Sequence, residues 1–235
     1  MDDAAARAHL AIAIDVDDLV AAVRLAKQVQ PYFGVAKVGL ELYSAAGPDA
    51  FGAMIDLGFE VFADLKLHDI PTTVGKAARV IGALGVTWLN FHTSGGDAML
   101  RAGVEGFLGG ASGAGLELPV PLGVTVLTSD HDAPPALLAE RASVAALAGC
   151  GGVVCAVADI PTIRAVAPNL VCVTPGIRPV GADRNDQERA ATPAEAIAAG
   201  ADLLVVGRPV TAAPDPAAAA RAVHDEVASA LQPAS

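Results

Sequence analysis

Eight short apolar runs recur along this 235-residue sequence: Leu10 to Val16, Phe33 to Leu40, Phe59 to Leu67, Thr87 to Thr93, Val120 to Thr128, Gly152 to Val157, Leu170 to Gly176 and Asp202 to Gly207. Each is short and rich in β-branched residues, which reads as a strand. Between them lie segments with Ala, Leu and Val at three-to-four spacing, such as Asp17 to Val29, Thr72 to Leu84, Ala136 to Ala148 and Pro193 to Ala199, which read as helices. Strand then helix, eight times over, predicts a parallel sheet closed on itself: an α/β protein with a (β/α)8 TIM barrel, forming one domain over residues 1–235. An open doubly wound sheet is the alternative, but the first strand ends in Ala13-Ile14-Asp15-Val16 rather than in a glycine-rich dinucleotide turn. Gly58, Gly85, Gly151 and Gly200 each fall between a helical segment and the next strand, where a left-handed helix cap favours glycine. Gly109-Gly110 and Ser112-Gly113 read as a flexible connection.

The sequence is 53% hydrophobic and 17% charged, enough apolar material for a large core. With 26 acidic against 15 basic residues it carries a formal charge of −11, which argues against nucleic-acid and anionic-membrane partners. Cys150, Cys155 and Cys172 are odd in number and sit in or beside apolar runs, so they are expected as buried free thiols rather than disulfides or zinc ligands. The acidic start leads straight into the first strand, and no apolar run reaches the roughly 18 residues of a membrane span. A soluble, cytoplasmic protein is expected.

In barrels of this kind the reactive groups sit at the C-terminal ends of the strands. The first three strands end in charges that apolar strands do not need: Asp15, Lys37, Asp64 and Lys66. Asp64 and Lys66 are two residues apart, so on a strand they point to the same side, about 6 to 7 Å apart along the chain. Asp69 follows where His68 and Ile70-Pro71 mark the exit into a loop. Burying such charges is expensive unless they neutralise one another, and alternating signs do so. Each carboxylate then favours a protonated lysine, which leaves Lys66 as a candidate proton donor.

The string Asp64-Leu65-Lys66-Leu67-His68-Asp69-Ile70-Pro71-Thr72-Thr73 resembles the strand-three signature of the orotidine monophosphate decarboxylase family, with Thr72 at a position where that family usually has asparagine. Further landmarks resembling that family follow in order. They are Asp15, Lys37, Thr128, the segment Thr174 to Pro179 containing Pro175 and Arg178, the segment Asp186 to Arg189 containing Gln187, and Gly207-Arg208-Pro209.

The resemblance implies conversion of orotidine monophosphate (OMP) to uridine monophosphate (UMP) and CO2 in pyrimidine biosynthesis, without metal or organic cofactor. It further implies a homodimer in which Asp69, with Ile70 and Thr73, reaches into the partner's active site and completes a tetrad with Lys37, Asp64 and Lys66. Asp15 and Lys37 would hold the ribose and Thr128 the pyrimidine. Pro175, Arg178, Gln187, Gly207 and Arg208 would form the phosphate end, on loops that commonly bind phosphate in barrels.

Two rival readings are a magnesium-dependent sugar-phosphate decarboxylase of the same barrel group and a catalytically silent phosphate-binding barrel. Ile70-Pro71 and the segment Thr125 to Ser129 favour the pyrimidine enzyme over the first. His68 and His92 lack a third ligand at recognisable spacing, so no metal site is expected there.

Overall fold

The computed structural model describes residues 3–127, 133–179 and 190–232. Eight strands form a closed barrel in sequence order. They are β1 (Leu10–Ile14), β2 (Val35–Gly39), β3 (Glu60–Leu67), β4 (Trp88–His92), β5 (Val120–Val124), β6 (Gly152–Val154), β7 (Val171–Thr174) and β8 (Leu203–Val206). Every neighbouring pair is parallel, and β8 closes on β1 from Leu10↔Leu204 to Ile12↔Val206.

The helices are α1 (Asp3–Ala8), α2 (Leu19–Val29), α3 (Leu40–Ala46), α4 (Asp49–Asp56), α5 (Pro71–Ala83), α6 (Gly96–Gly113), α7 (Pro135–Leu147), α8 (Ile160–Val166), α9 (Pro193–Ala198), α10 (Arg208–Thr211) and α11 (Pro216–Ala230). Local chemistry fixes several starts. Asp18 and Asp215 accept the backbone N–H groups of Ala21 and Ala218 at 2.7 and 3.0 Å, and Thr192 and Glu195 cap each other reciprocally at α9.

Strand alternation sorts the core into two layers. Ala11, Ala13, Val35, Phe62, Leu122, Val173, Leu203 and Val205 fill the barrel interior. Ile12, Ile14, Ala36, Val38, Leu89 and Phe91 face outward into the helices. The apolar interior stops at the C-terminal mouth, where polar side chains take over.

The expected eight strands are all present, but β1, β5, β6 and β7 end two to four residues earlier than their apolar runs, as the chain turns out at the mouth. Gly58, Gly85 and Gly200 adopt the left-handed conformation at φ +81°, +82° and +90°. The fourth cap is Gly149 at φ +89° rather than Gly151, because α7 already ends at Leu147. Gly151 is instead a close-packing position, where a Cβ would stand 2.9 Å from Val120 Cγ1.

Gly109 to Gly113 form the end of α6, not a connection. The helix tolerates these glycines because they admit α5. A Cβ on Gly110 would strike the carbonyl of Arg79, and one on Gly106 the carbonyl of Gly75. Gly82 faces the carbonyl of Phe107 in the same way. Backbone-to-backbone contact thus anchors α5, the helix that begins directly after the Asp69-Ile70 loop.

Candidate active site

The site grows from the upper ends of β1, β2, β3 and β4. Phe62, Asp64 and Lys66 alternate toward the barrel interior, while Ala63, Leu65 and Leu67 pack outward against the helices. The pairing of β3 with β4 is irregular: Ala63 opposes Leu89, and the next pair is Leu67 with Phe91. Four steps along β3 therefore match two along β4. An excess of two residues keeps the alternation intact while bulging the strand. Lys66 sits in the bulge at φ +51°, the one left-handed non-glycine residue among those described. The ion pair of Asp64 and Lys66 is thus made across a bulge and not along a regular strand.

The charges form a chain. Lys37 Nζ lies 3.1 Å from Asp15 Oδ1 and 3.3 Å from Asp64 Oδ2, and Lys66 Nζ lies 2.6 Å from Asp64 Oδ1. Asn90, on β4 and fully buried, donates from Nδ2 to Asp64 Oδ1 at 2.7 Å and accepts the Lys66 backbone N–H on Oδ1 at 2.7 Å. Gly39 leaves room for the pair beside it, since a Cβ there would stand 3.1 Å from Asp15 Oδ1 and 3.2 Å from Lys37 Nζ.

Burial opposes ionisation of Lys37, but the carboxylates of Asp64 and Asp15 outweigh it and hold the ammonium above the ordinary lysine range. Burial likewise opposes ionisation of Asp64. Lys37 and Lys66, with the hydrogen bonds from Lys66 and Asn90, overcome it and hold the carboxyl below its ordinary range. The result is a desolvated pair, Lys37 and Asp64, each holding the other in its charged form beside a cavity.

That cavity, about 270 Å³, is lined by Asp15, Lys37, Asp64 and Lys66 together with Pro175, Gly176, Arg178, Gly207 and Arg208. Apolar walls come from Val124, Val126, Leu127, Val154 and Val205. Arg178 is buried and Arg208 exposed at the start of α10. The Arg178 backbone N–H donates to Ala191 O at 2.9 Å, which joins the two described ends flanking residues 180–189. The cavity thus combines an alternating charge array with two arginines and apolar walls.

Eight residues expected from the sequence thus share one cavity. Asp69, Ile70 and Thr73 do not line it in the single chain: all three are exposed, Asp69 Oδ1 accepting the backbone N–H of Ile70 at 2.6 Å and Ile70 being 66% exposed. Thr128 and Gln187 lie outside the described residues. Asn90 was not anticipated, although it is the one polar residue at an inward position between Trp88 and His92, a signal present in the strand itself. Leu127 and Cys155, the latter expected only as a buried thiol, also line the cavity.

The rings of His68 and His92 stand 5.5 Å apart beside the site. Burial, then the nearby His68, Lys66 and Arg141, hold His92 below the ordinary histidine range. No cluster of three or more metal-ligating side chains occurs among the described residues.

Fold and site together define a (β/α)8 barrel with a cluster of alternating charges and two arginines lining one cavity at its C-terminal mouth, the position where such barrels carry their active sites. The sequence model of the orotidine 5'-phosphate decarboxylase / HUMPS family matches residues 8–223, and the chain belongs to that family. It is 47% identical over 234 residues to the orotidine 5'-phosphate decarboxylase of Moorella thermoacetica, covering 94% of this chain and 93% of that protein. It is also 47% identical over 226 residues to the corresponding protein of Anaeromyxobacter dehalogenans, covering 92% and 96% respectively. Among solved structures, the orotidine 5'-phosphate decarboxylase of Lactobacillus acidophilus matches with a TM-score of 0.79 and 32% identity, over 93% of this chain and 98% of that one.

Proposed function

We propose that this chain decarboxylates OMP to UMP and CO2, the decarboxylation step of pyrimidine nucleotide synthesis. One observation carries the reading: Lys37, Asp64 and Lys66 alternate in charge along a cavity that Arg178 and Arg208, from beyond β7 and β8, also line. The names of the two relatives at 47% identity agree with it.

In this mechanism the arginine end takes the phosphate, with Gln187 and the backbone at Pro175 and Gly207 as further contacts, while Asp15 and Lys37 hold the ribose hydroxyls. Thr128 meets the pyrimidine. The ring then lies with its C6 carboxylate against Asp64. The C6–carboxylate bond breaks, its electron pair stays on C6, and CO2 leaves. The Lys66 ammonium, already held toward the ring by Asp64, stabilises that charge and delivers its proton to C6, leaving a neutral amine that solvent reprotonates. Positive charge placed before the reaction needs no reorganisation when the carbanion forms, so it acts on the transition state more than on the substrate. No metal or organic cofactor is called for.

The working unit is a homodimer. Asp69, Ile70 and Thr73, exposed on one loop and helix start whose helix is held by the close α5–α6 packing, would enter a partner's cavity. The 66% exposed Ile70 supports this, since an apolar side chain at a loop tip gains by burial in a partner. Three buried free thiols suit a reducing, cytoplasmic setting.

The test follows the ultraviolet absorbance of OMP with the purified protein in excess EDTA. Loss of the orotate band is the expected result. Turnover of OMP that requires added magnesium would contradict the metal-free mechanism, and no turnover with or without magnesium would remove the proposal.

A further inference from the structure

We infer that Asn90 is a positioning residue for this decarboxylation, its single amide fixing the Asp64 carboxylate and the Lys66 backbone relative to one another. The inference rests on the functional reading above and adds a residue that neither the charge pattern nor the family signature contains.

The amide is fully buried on the inward face of β4, where an unsatisfied polar group would be strongly unfavourable. Both its ends are used. Nδ2 donates to the same Asp64 oxygen that receives Lys66 Nζ, and Oδ1 accepts the backbone N–H of Lys66. Only one orientation of the amide satisfies both, because the carboxylate can only accept and the N–H can only donate. The contacts fall on the two least self-sustaining features of the site. One is a residue held at φ +51°, a conformation that non-glycine residues keep only when their surroundings over-determine it. The other is a carboxylate that must hold one rotation, with Lys37 on Oδ2 and Lys66 on Oδ1.

Removing the amide frees Asp64 to turn and the Lys66 backbone to leave the bulge, so the ammonium loses its aim at the reacting carbon. The substrate's distant handle, the arginine end, is untouched. The effect should therefore appear in kcat and not in nucleotide binding. The ionisable groups around the amide are Asp64 and Lys66, with Lys37 behind Asp64 and His92 two residues along β4.

Two variants test this. Asn90→Ala should lower kcat on the order of 100-fold, the scale of a misplaced reacting group, with KM and UMP affinity within a few fold of wild type. Asn90→Asp keeps the shape. When its new carboxyl is protonated, the O–H replaces the amide donor to Asp64 and the C=O still accepts from Lys66. Its kcat should therefore climb toward the wild-type value as pH falls through an ionisation that wild type lacks, raised by the neighbouring Asp64 carboxylate.

Wild-type kcat in Asn90→Ala, or a loss in Asn90→Asp that runs parallel to wild type at every pH, would overturn the inference. If Asn90→Ala does not fold, the pH profile of Asn90→Asp decides alone. A readout independent of turnover keeps this claim separate from the functional one. The Asp64 carboxyl, followed by carbon NMR, should titrate higher in whichever variant removes the amide donor without adding charge, Asn90→Ala or, failing that, Asn90→Leu, and an unmoved titration contradicts the inference even if OMP is not the substrate.

Discussion

Lys37 and Asp64 keep each other charged: Nζ and Oδ2 are 3.3 Å apart across neighbouring strands, and their pKa values move in opposite directions, the lysine up and the aspartate down. Both shifts have consequences for stability. A carboxyl lowered in the folded state stabilises above its unfolded value of about 3.9, and the stabilisation disappears as pH falls through the lower folded value. A lysine raised in the folded state stabilises fully below about 10.4, and loses this as pH rises through the higher folded value. The difference in urea stability between wild type and Asp64→Asn should thus be flat through neutral pH, shrinking below about pH 4 and again above about pH 10.5. A difference unchanged across both limits contradicts the ion-pair account.

Arg208 begins α10 and lines the cavity together with Lys66. Arg208→Ala should raise KM for OMP by at least about 10-fold, the weight of one charge-assisted contact, while changing turnover of the phosphate-free nucleoside far less. Steady-state kinetics on the two substrates makes the comparison. Equal loss toward both would count against a phosphate role.

The α5–α6 contact leaves no space for a methyl group at Gly110 or Gly106, where the nearest atoms are backbone carbonyls that cannot rotate away. Gly110→Ala should destabilise the protein by about 1 to 3 kcal/mol despite alanine's better helix propensity. Denaturant midpoints of wild type and variant check this. Gly113→Ala is the control, because nothing stands within 4 Å of its added Cβ, and it should be neutral or stabilising.

Cys150, Cys155 and Cys172 are buried free thiols, and burial pushes Cys150 up to about 12. A thiol reagent at neutral pH should modify none of them in the native protein and all three after denaturation. Fast native labelling of Cys172 would mean that the barrel opens locally at β7.

The barrel was legible because strand and helix leave different periods in the sequence, and eight alternations admit few closures. The charge array was legible because lysine is rare here: Lys37 and Lys66 interrupt apolar strands, which surface residues such as Lys27 do not. Three features were not legible. The bulge at Lys66 depends on what β4 presents across the ladder, which a single strand's pattern does not record. Asn90 was hidden for the same reason, as its partners are 24 and 26 residues away. Gly110 reads locally as a loop former, and only the approach of α5 shows why a helix keeps it. In each case the missing information was the identity of a neighbour distant in sequence.

The central claim is that the Lys66 ammonium, aimed by Asp64, supports and protonates the carbon that loses CO2. Lys66→Ala measures it most directly, with kcat for OMP and UMP affinity determined on the same folded protein. A fall in kcat of at least about 10³-fold, with UMP still bound and the fold intact, is the predicted result. Turnover within a few fold of wild type would contradict it.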